Sequence, residues 1–419
     1  MRILHLVHQY LPEKIGGTEL YTRALAQRQA AAGHDVSIFS PSVTAKNWPE
    51  PTLEGGVWVY RRPLGQRSPA AVFQATFRQP DITEAFQRLL EKTQPDLVHI
   101  QHLMGLPVSL VNVLKANAVP YVITLHDYWY ICANAQLLTN YDSTICDGPN
   151  WWLNCAHCAL ARAGKETLAF LRPAVAPLMA FRNFRLKAAL DQASRLIAPT
   201  HFVRETYDQL GIAPEKIIVI PHGIQPPENG RSPQPKETNV LRVVYIGGLA
   251  PQKGVHILVE AINDLAEGLA ALKIYGDMSA FPEYVAALQA QVHRLNIQFY
   301  GRLPHEALWD VLAQSDVVVV PSLWYETASL IIQEAFAAGV PVIASDIGAL
   351  RERVRDGVNG FLFPPGDAAV LSRLLADLSR YPDKLAQLTA QIQPVYTIDQ
   401  HQQAVEETYQ LVLSQSSAV

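Results

Sequence analysis

The chain has 419 residues, 49% of them hydrophobic and only 17% charged, with a formal net charge of −4. Length alone allows roughly two to three domains, and the charge balance excludes a globally basic nucleic-acid binder. The longest clean apolar run, Ala335 to Ala344, contains Gly339 and Pro341 and is far short of the ~20 residues that span a bilayer. The opening MRILHLVHQYLPE has no charged region leading into a long apolar stretch, so no signal peptide is expected. Four cysteines in the whole chain are too few to staple the fold with disulfides. The expected location is cytoplasmic, with peripheral contact at the inner face of a membrane as a further reading.

Short β-rich runs alternate with helical patterns along the chain. Predicted strands are Ile3–Val7, Val36–Phe39, Leu97–Ile100, Tyr121–Thr124, Leu196–Ala198 and Ile217–Ile220, then Leu241–Ile246, Leu272–Tyr275, Ile297–Tyr300, Val317–Val320 and Val340–Ala344. Helical patterns include Thr18–Ala32, Val255–Ala266 and Leu330–Ala338. The β-branched run Val317–Val320 suits a strand buried on both faces of a parallel sheet. The alternation predicts an α/β protein with doubly wound parallel sheets. Residues 221–239 hold five prolines and little apolar periodicity, which marks a linker. The predicted domains are therefore 1–220 and 240–398, two Rossmann-like units facing each other across a hinged cleft. A last helix, 399–419, has no assigned partner, with the first domain as one option.

One segment, 127–159, breaks the alternation and carries all four cysteines with many aromatics. Cys155 and Cys158 have Cys-x2-Cys spacing, which can supply two thiolates to tetrahedral zinc. Cys132 and Cys146 would complete the set, with His157 as a spare ligand. Structural zinc, disulfides and free thiols all stay open, and none of them is catalytic. Next, 162–187 carries Arg162, Lys165, Arg172, Arg182, Arg185 and Lys187 against Glu166, interleaved with apolar residues. Such a stretch can lie on an anionic membrane, hold an anionic acceptor, or form a solvated helix face.

Candidate chemistry is distributed along this frame. Gly16-Gly17 precedes a helix, with Thr18 placed to cap it, and glycines at a helix start let an anion reach free N–H groups; a plain turn is the alternative. No Gly-x-Gly occurs in the chain, which argues against a nicotinamide dehydrogenase. His126-Asp127 ends a strand, so His126 is a hydrogen-bonding or acid–base candidate or a structural histidine. Lys253, in the turn from Tyr245 to Gly254, can neutralise a phosphate or lie on the surface. Glu326 and Glu334 are eight apart in the loop and helix after Val317–Val320, at the strand end where open α/β sheets bind ligands. Their carboxylates can accept sugar or ribose hydroxyls, and N–H groups around Thr327, Ala328, Ser329 and Leu330 can meet a phosphate.

Taken in order, the Gly16-Gly17 loop, His126, the Lys253 turn, Glu326-x7-Glu334 and the Ala338–Ala344 stretch resemble the retaining nucleotide-sugar glycosyltransferases of the GT-B fold, family 4. The resemblance covers nearly the whole chain. It implies transfer of a hexose, with glucose as the first candidate, from a UDP-sugar to a glycan or lipid-linked acceptor in polysaccharide or glycolipid synthesis. It implies that Glu334 takes the ribose hydroxyls, that Lys253 takes the diphosphate with Gly17, Ser329 and Leu330, and that Arg302 and Leu303 border the base. Glu326 would hold sugar hydroxyls and His126 would lie beside the sugar. No divalent metal or other cofactor is implied for catalysis. Members of this family often carry an arginine where this chain has Gly248, which implies either weaker donor binding or another basic residue, such as Arg302 or Lys14, in its place. Two other readings share the donor site: a sugar-nucleotide epimerase of the same fold, and a catalytically weak sugar-nucleotide-binding protein.

Overall fold

Two parallel sheets organise the chain, which divides into Met1–Gly223 with Ile398–Val419 (unit 1) and Ile224–Thr397 (unit 2). The structure is a computed structural model describing residues 1–45, 50–226 and 240–416. Most of the predicted linker, 227–239, lies outside the described residues.

Unit 1 contains β1 (Arg2–Leu6), β2 (Asp35–Ser42), β3 (Thr52–Glu54), β4 (Val57–Pro63), β5 (Leu97–Ile100), β6 (Tyr121–Thr124), β7 (Arg195–Ala198) and β8 (Ile217–Val219). They run in the order β3-β4-β2-β1-β5-β6-β7-β8. All pairings are parallel except β3 with β4, a hairpin turned by Gly55-Gly56, both at positive φ, which glycine adopts without strain. That hairpin is absent from the predicted elements because its strands sit at the sheet edge and one of them is only three residues long. The central strands are buried along their whole length, as in Leu97–Ile100 and Tyr121–Thr124, which is what helices on both faces of a parallel sheet require.

Unit 2 contains β9 (Leu241–Ile246), β10 (Ala270–Tyr275), β11 (Ile297–Gly301), β12 (Val317–Val320), β13 (Val342–Ser345) and β14 (Gly360–Phe363), in the order β11-β10-β9-β12-β13-β14. Val317–Val320 is buried throughout at the sheet centre. β13 begins at Val342 rather than at the predicted Val340, because Pro341 has no N–H to give the ladder. β14 was not among the predicted strands. In each sheet the winding reverses once, between β1 and β5 in unit 1 and between β9 and β12 in unit 2. Ligands of open α/β sheets bind beyond the strand ends at such a switch point.

The C-terminal helix, Ile398–Ser416, packs on unit 1 through polar contacts. Tyr21 Oη donates to His401 Nε2 at 2.7 Å, and His401 Nδ1 donates to the Pro221 carbonyl at 2.7 Å. Arg28 pairs with Asp399, and His34 with Glu406 at 2.9 Å. A buried chain of hydrogen bonds continues inward. Tyr409 Oη meets His99 Nδ1 at 2.5 Å, His99 Nε2 meets Thr124 at 2.7 Å, and Gln29 links Tyr409 to His5. Gln101 links His5 to His126. One proton assignment satisfies this chain with every histidine neutral. Burial pushes His5 and His401 down to about 4 and holds His99 well below the ordinary value of 6.5.

These histidines bind protons more readily in the unfolded chain than in the folded one, so stability falls as pH drops from the unfolded value of ~6.5 toward 4. A shift from 6.5 to about 4 corresponds to on the order of 3 kcal/mol per histidine. Urea unfolding followed by circular dichroism should show a midpoint that declines steadily from pH ~7 to pH ~4.5. A flat profile over that window would contradict the buried neutral network.

Candidate active site

The unit 2 switch point is built from two loops that touch. After β9 the chain passes Gly247 and Gly248 to a single turn ending at Lys253. After β12 it passes Pro321–Ser329 to the Leu330–Ala337 helix. Leu323 N donates to the Gln252 carbonyl at 2.8 Å, stitching the loops together. Gly254 allows this approach: its φ is +68° and a Cβ there would lie 1.9 Å from the Pro321 carbonyl oxygen.

Lys253 Nζ reaches Glu326 Oε1 at 2.7 Å and lies 5.1 Å from the centre of the Trp324 ring. The same Oε1 accepts from Ser322 Oγ at 2.8 Å and Trp324 Nε1 at 3.0 Å. Burial alone would raise the Glu326 carboxyl, but the Lys253 charge and these donors bring it below the ordinary value. Glu326 is therefore a firmly ionised acceptor beside a cation. Ser329, at φ +25°, turns the chain into the Leu330–Ala337 helix. The first N–H groups of that helix have no partner within it and carry the positive end of its dipole. Glu334 lies in its second turn, where burial raises its carboxyl to about 7. A buried carboxyl of this kind gains from hydroxyl donors, which favour its ionised form.

The remaining predicted donor residues of unit 2 are arranged differently. Arg302 Nη2 pairs with Asp277 Oδ2 at 2.7 Å on the exposed surface. Leu303 packs against the core beneath β12. Gly248 has no positive φ, and a Cβ there would meet nothing within 4 Å, so steric demand does not explain glycine at this position.

In unit 1, Gly16 itself is the N-cap of the Gly17–Ala31 helix and no side chain caps it. Thr18 lies inside the helix and is not the cap, because the chain is already helical from Gly17. Glu19 instead folds back over Gly16, where a Cβ would come within 2.6 Å of Glu19 Oε2. Gly17 has open space around it, and Lys14 is exposed. His126 follows β6, donates from Nε2 to Gln101 Oε1 at 2.9 Å and packs edge-on against Tyr21. Burial, then the neighbouring histidines, holds it well below 6.5, so it is a neutral hydrogen-bonding group and a poor proton donor.

Three residues at the unit 1 switch point were missed by motif reading. His8 follows β1, His102 follows β5 and Asp127 follows β6. His102 Nδ1 accepts the Met104 N–H at 2.9 Å, which places its proton on Nε2, within 3.1 Å of both Asp127 carboxylate oxygens. The His8 and His102 rings are 4.4 Å apart. Placing each chemistry-bearing residue at the carboxyl end of its strand would have brought these three together.

The cysteine segment is ordered by a small β-bridge, Leu138 with Ile145, and the Leu153–Arg162 helix. All four thiols are free. Burial pushes Cys155 up to about 12 and Cys158 to about 11, with the other cysteines adding to both. Among the described residues no three His, Cys, Asp or Glu side chains are grouped to hold a metal ion, though the four thiols lie near enough to raise one another. His157 stacks on Tyr141 with ring centres 3.9 Å apart. The basic stretch also needs correction at Arg182. It is buried, donates to the Trp129 carbonyl at 2.6 Å and lies over the Trp129 ring, because the 127–138 segment folds over that side of its helix.

Two parallel-sheet α/β units, each with chemistry at its switch point, define a GT-B fold. Residues 15–227 match the model of Glycosyltransferase Family 4 and residues 228–393 match that of Glycosyl transferases group 1. The chain belongs to this family and is a group 1 glycosyltransferase. It is similar to a glycogen synthase of Mycobacterium tuberculosis, 26% identical over 390 residues that cover 89% of this chain and 84% of the relative. Among solved structures it resembles sucrose-phosphate synthase from Thermosynechococcus elongatus, at TM-score 0.74 and 20% identity over 98% of this chain and 99% of that one. It also resembles Anabaena HepE, solved in complex with UDP and glucose, at TM-score 0.68 and 20% identity with the same coverage.

Gly254→Ala tests the loop architecture. The left-handed backbone costs an alanine about 1 kcal/mol, and the Cβ collides with fixed backbone. The variant should lose about 2 kcal/mol or more of stability. Wild-type thermal melts would show that the two loops do not need this contact.

Proposed function

We propose that this glycosyltransferase is a retaining, metal-independent enzyme that moves a hexose from a UDP-sugar to a glycan or lipid-linked acceptor, with glucose as the first sugar to test. The observation that carries the reading is the meeting of Lys253 and Glu326 at the unit 2 switch point, with a helix N-terminus and Glu334 following directly. A nucleotide sugar has a diphosphate, a ribose and a hexose in series. Lys253 and the N–H groups of Ala328, Ser329 and Leu330 suit the diphosphate. Glu334 suits the ribose hydroxyls, and Glu326 suits sugar hydroxyls. Leu303 and the stem of Arg302 border the base. The UDP and glucose named for HepE support uridine as the nucleotide and glucose as the sugar.

In unit 1, the proposal gives His126 a hydrogen bond to the sugar, and Gly16 and Gly17 a backbone approach to the donor. The bond from the sugar's anomeric carbon to the diphosphate oxygen breaks as the acceptor oxygen bonds to that carbon on the same face. The acceptor's proton passes to the departing phosphate oxygen. Lys253 and the helix N–H groups stabilise the charge that builds on the diphosphate, so no metal is called for. A neutral His126 supports this route, since it assigns no proton transfer to the protein.

Incubation with UDP-sugars and an acceptor glycan, followed by assay of released UDP, tests the reading. UDP-glucose should be turned over. Lys253→Ala and Glu326→Ala should each lower the rate by about a hundredfold or more with the fold intact. Wild-type rates in both variants would remove these residues from the site. Interconversion of sugars without UDP release would assign an epimerase, and saturable UDP binding without turnover would assign a binding protein.

A further inference from the structure

The Arg172–Gln192 helix is apolar on both sides. Its inner face buries Ala176, Met179, Leu186, Ala189 and Leu190. On its outer side Leu178, Phe181 and Phe184 are 47%, 48% and 69% exposed. Trp151 in the cysteine segment and Phe170 before the helix are 83% and 72% exposed. Phe181 and Phe184 share one cavity lining with Trp152, the neighbour of Trp151, and exposed aromatic surface of this kind is unfavourable in water and marks a docking face. Trp151 and Trp152 both sit at positive φ, a conformation that bulky residues rarely hold.

Beside this face is a cavity of about 520 Å³ with a mostly apolar lining that includes Tyr130, Ile131, Trp152, Phe181, Phe184 and Leu210. Its volume falls in the ~300–1,000 Å³ range of pockets that enclose small ligands. Lys187 is its charged lining residue. In the same segment Arg162, Lys165, Arg172 and Lys187 are exposed, and the Arg185 guanidinium lies 5.8 Å from the Phe181 ring centre. Against these cations stand Glu166 and Asp191, the latter paired with Lys187 at 3.1 Å. Projecting aromatics with a cationic surround complement a surface that is apolar below and anionic at its edge.

We propose that this face of unit 1 docks on an anionic lipid bilayer, with Trp151, Phe181 and Phe184 entering the headgroup boundary and one lipid chain entering the cavity. The cations meet lipid phosphates while their aliphatic stems cover apolar surface. Among the described residues no helix is long and apolar enough to cross a membrane, so the contact is lateral. This inference does not rest on the donor assignment.

The test is co-sedimentation of the full chain with vesicles of phosphatidylcholine, alone or mixed with phosphatidylglycerol. The chain should pellet with the mixed vesicles, more weakly as salt rises, and far less with phosphatidylcholine alone. Trp151→Asp combined with Phe184→Asp should weaken this binding about tenfold or more, with an unchanged circular dichroism spectrum. Arg172→Glu with Arg185→Glu should remove the preference for phosphatidylglycerol. Should the aromatic variant fail to fold, tryptophan quenching by brominated lipids in the wild-type chain replaces it, and absence of quenching overturns the proposal. So does failure to pellet with mixed vesicles at low salt, or binding unaffected by the aromatic substitutions. A concentration-dependent dimer lost on Phe184→Asp, without vesicle binding, would assign the face to a second copy instead.

Discussion

The ion pair between Lys253 and Glu326, 2.7 Å long, is the interaction on which the unit 2 site depends. It joins the loop after β9 to the loop after β12, the two strands between which the sheet reverses its winding. A carboxylate this buried is costly without a partner, and three donors converge on one of its oxygens. Glycine at position 254 is what lets the two backbones come close enough for the pair to form. Strand order, glycine placement and charge pairing thus act as one constraint. It leaves a cation, an ionised acceptor and a helix N-terminus at the end of a buried strand.

Unit 1 solves a different problem. Its core holds a run of histidine, glutamine and tyrosine hydrogen bonds that extends from His126 to Tyr409 on the C-terminal helix. Buried polar groups are tolerated only when each finds a partner, and here one consistent set of neutral tautomers satisfies the chain. The consequence for His126 is chemical. It is positioned through Gln101 and kept uncharged by burial, so it orients and hydrogen-bonds without carrying a proton as a cation. The C-terminal helix, docked by Tyr21, His401 and Arg28, is part of the same network.

Much of this architecture was legible in the sequence because buried parallel strands announce themselves. Val317–Val320 is a continuous β-branched run and Leu97–Ile100 is aliphatic apart from His99, and their boundaries follow from composition. Glu326 and Lys253 could be picked out because each sits just beyond such a strand. What was not legible depends on three-dimensional neighbours. The pairing of His102 with Asp127 joins residues 25 apart, and no spacing rule links them. Arg182 looks like a solvent-facing charge until the 127–138 segment covers it. The matching of Arg302 to Asp277 was equally invisible, since it joins the ends of neighbouring strands. The cysteines, spread over 27 residues of sequence, fold near enough for their thiols to raise one another, a proximity that only the Cys155-x2-Cys158 pair showed in the sequence.

The role proposed for Lys253 is to hold the diphosphate of a nucleotide at the unit 2 switch point. Calorimetric titration of uridine and of UDP into the wild-type chain and into Lys253→Ala measures it directly. Wild type should bind UDP more tightly than uridine, and Lys253→Ala should lose most of that difference with its affinity for uridine unchanged. An undiminished difference in the variant, or no binding of UDP by wild type, would contradict it.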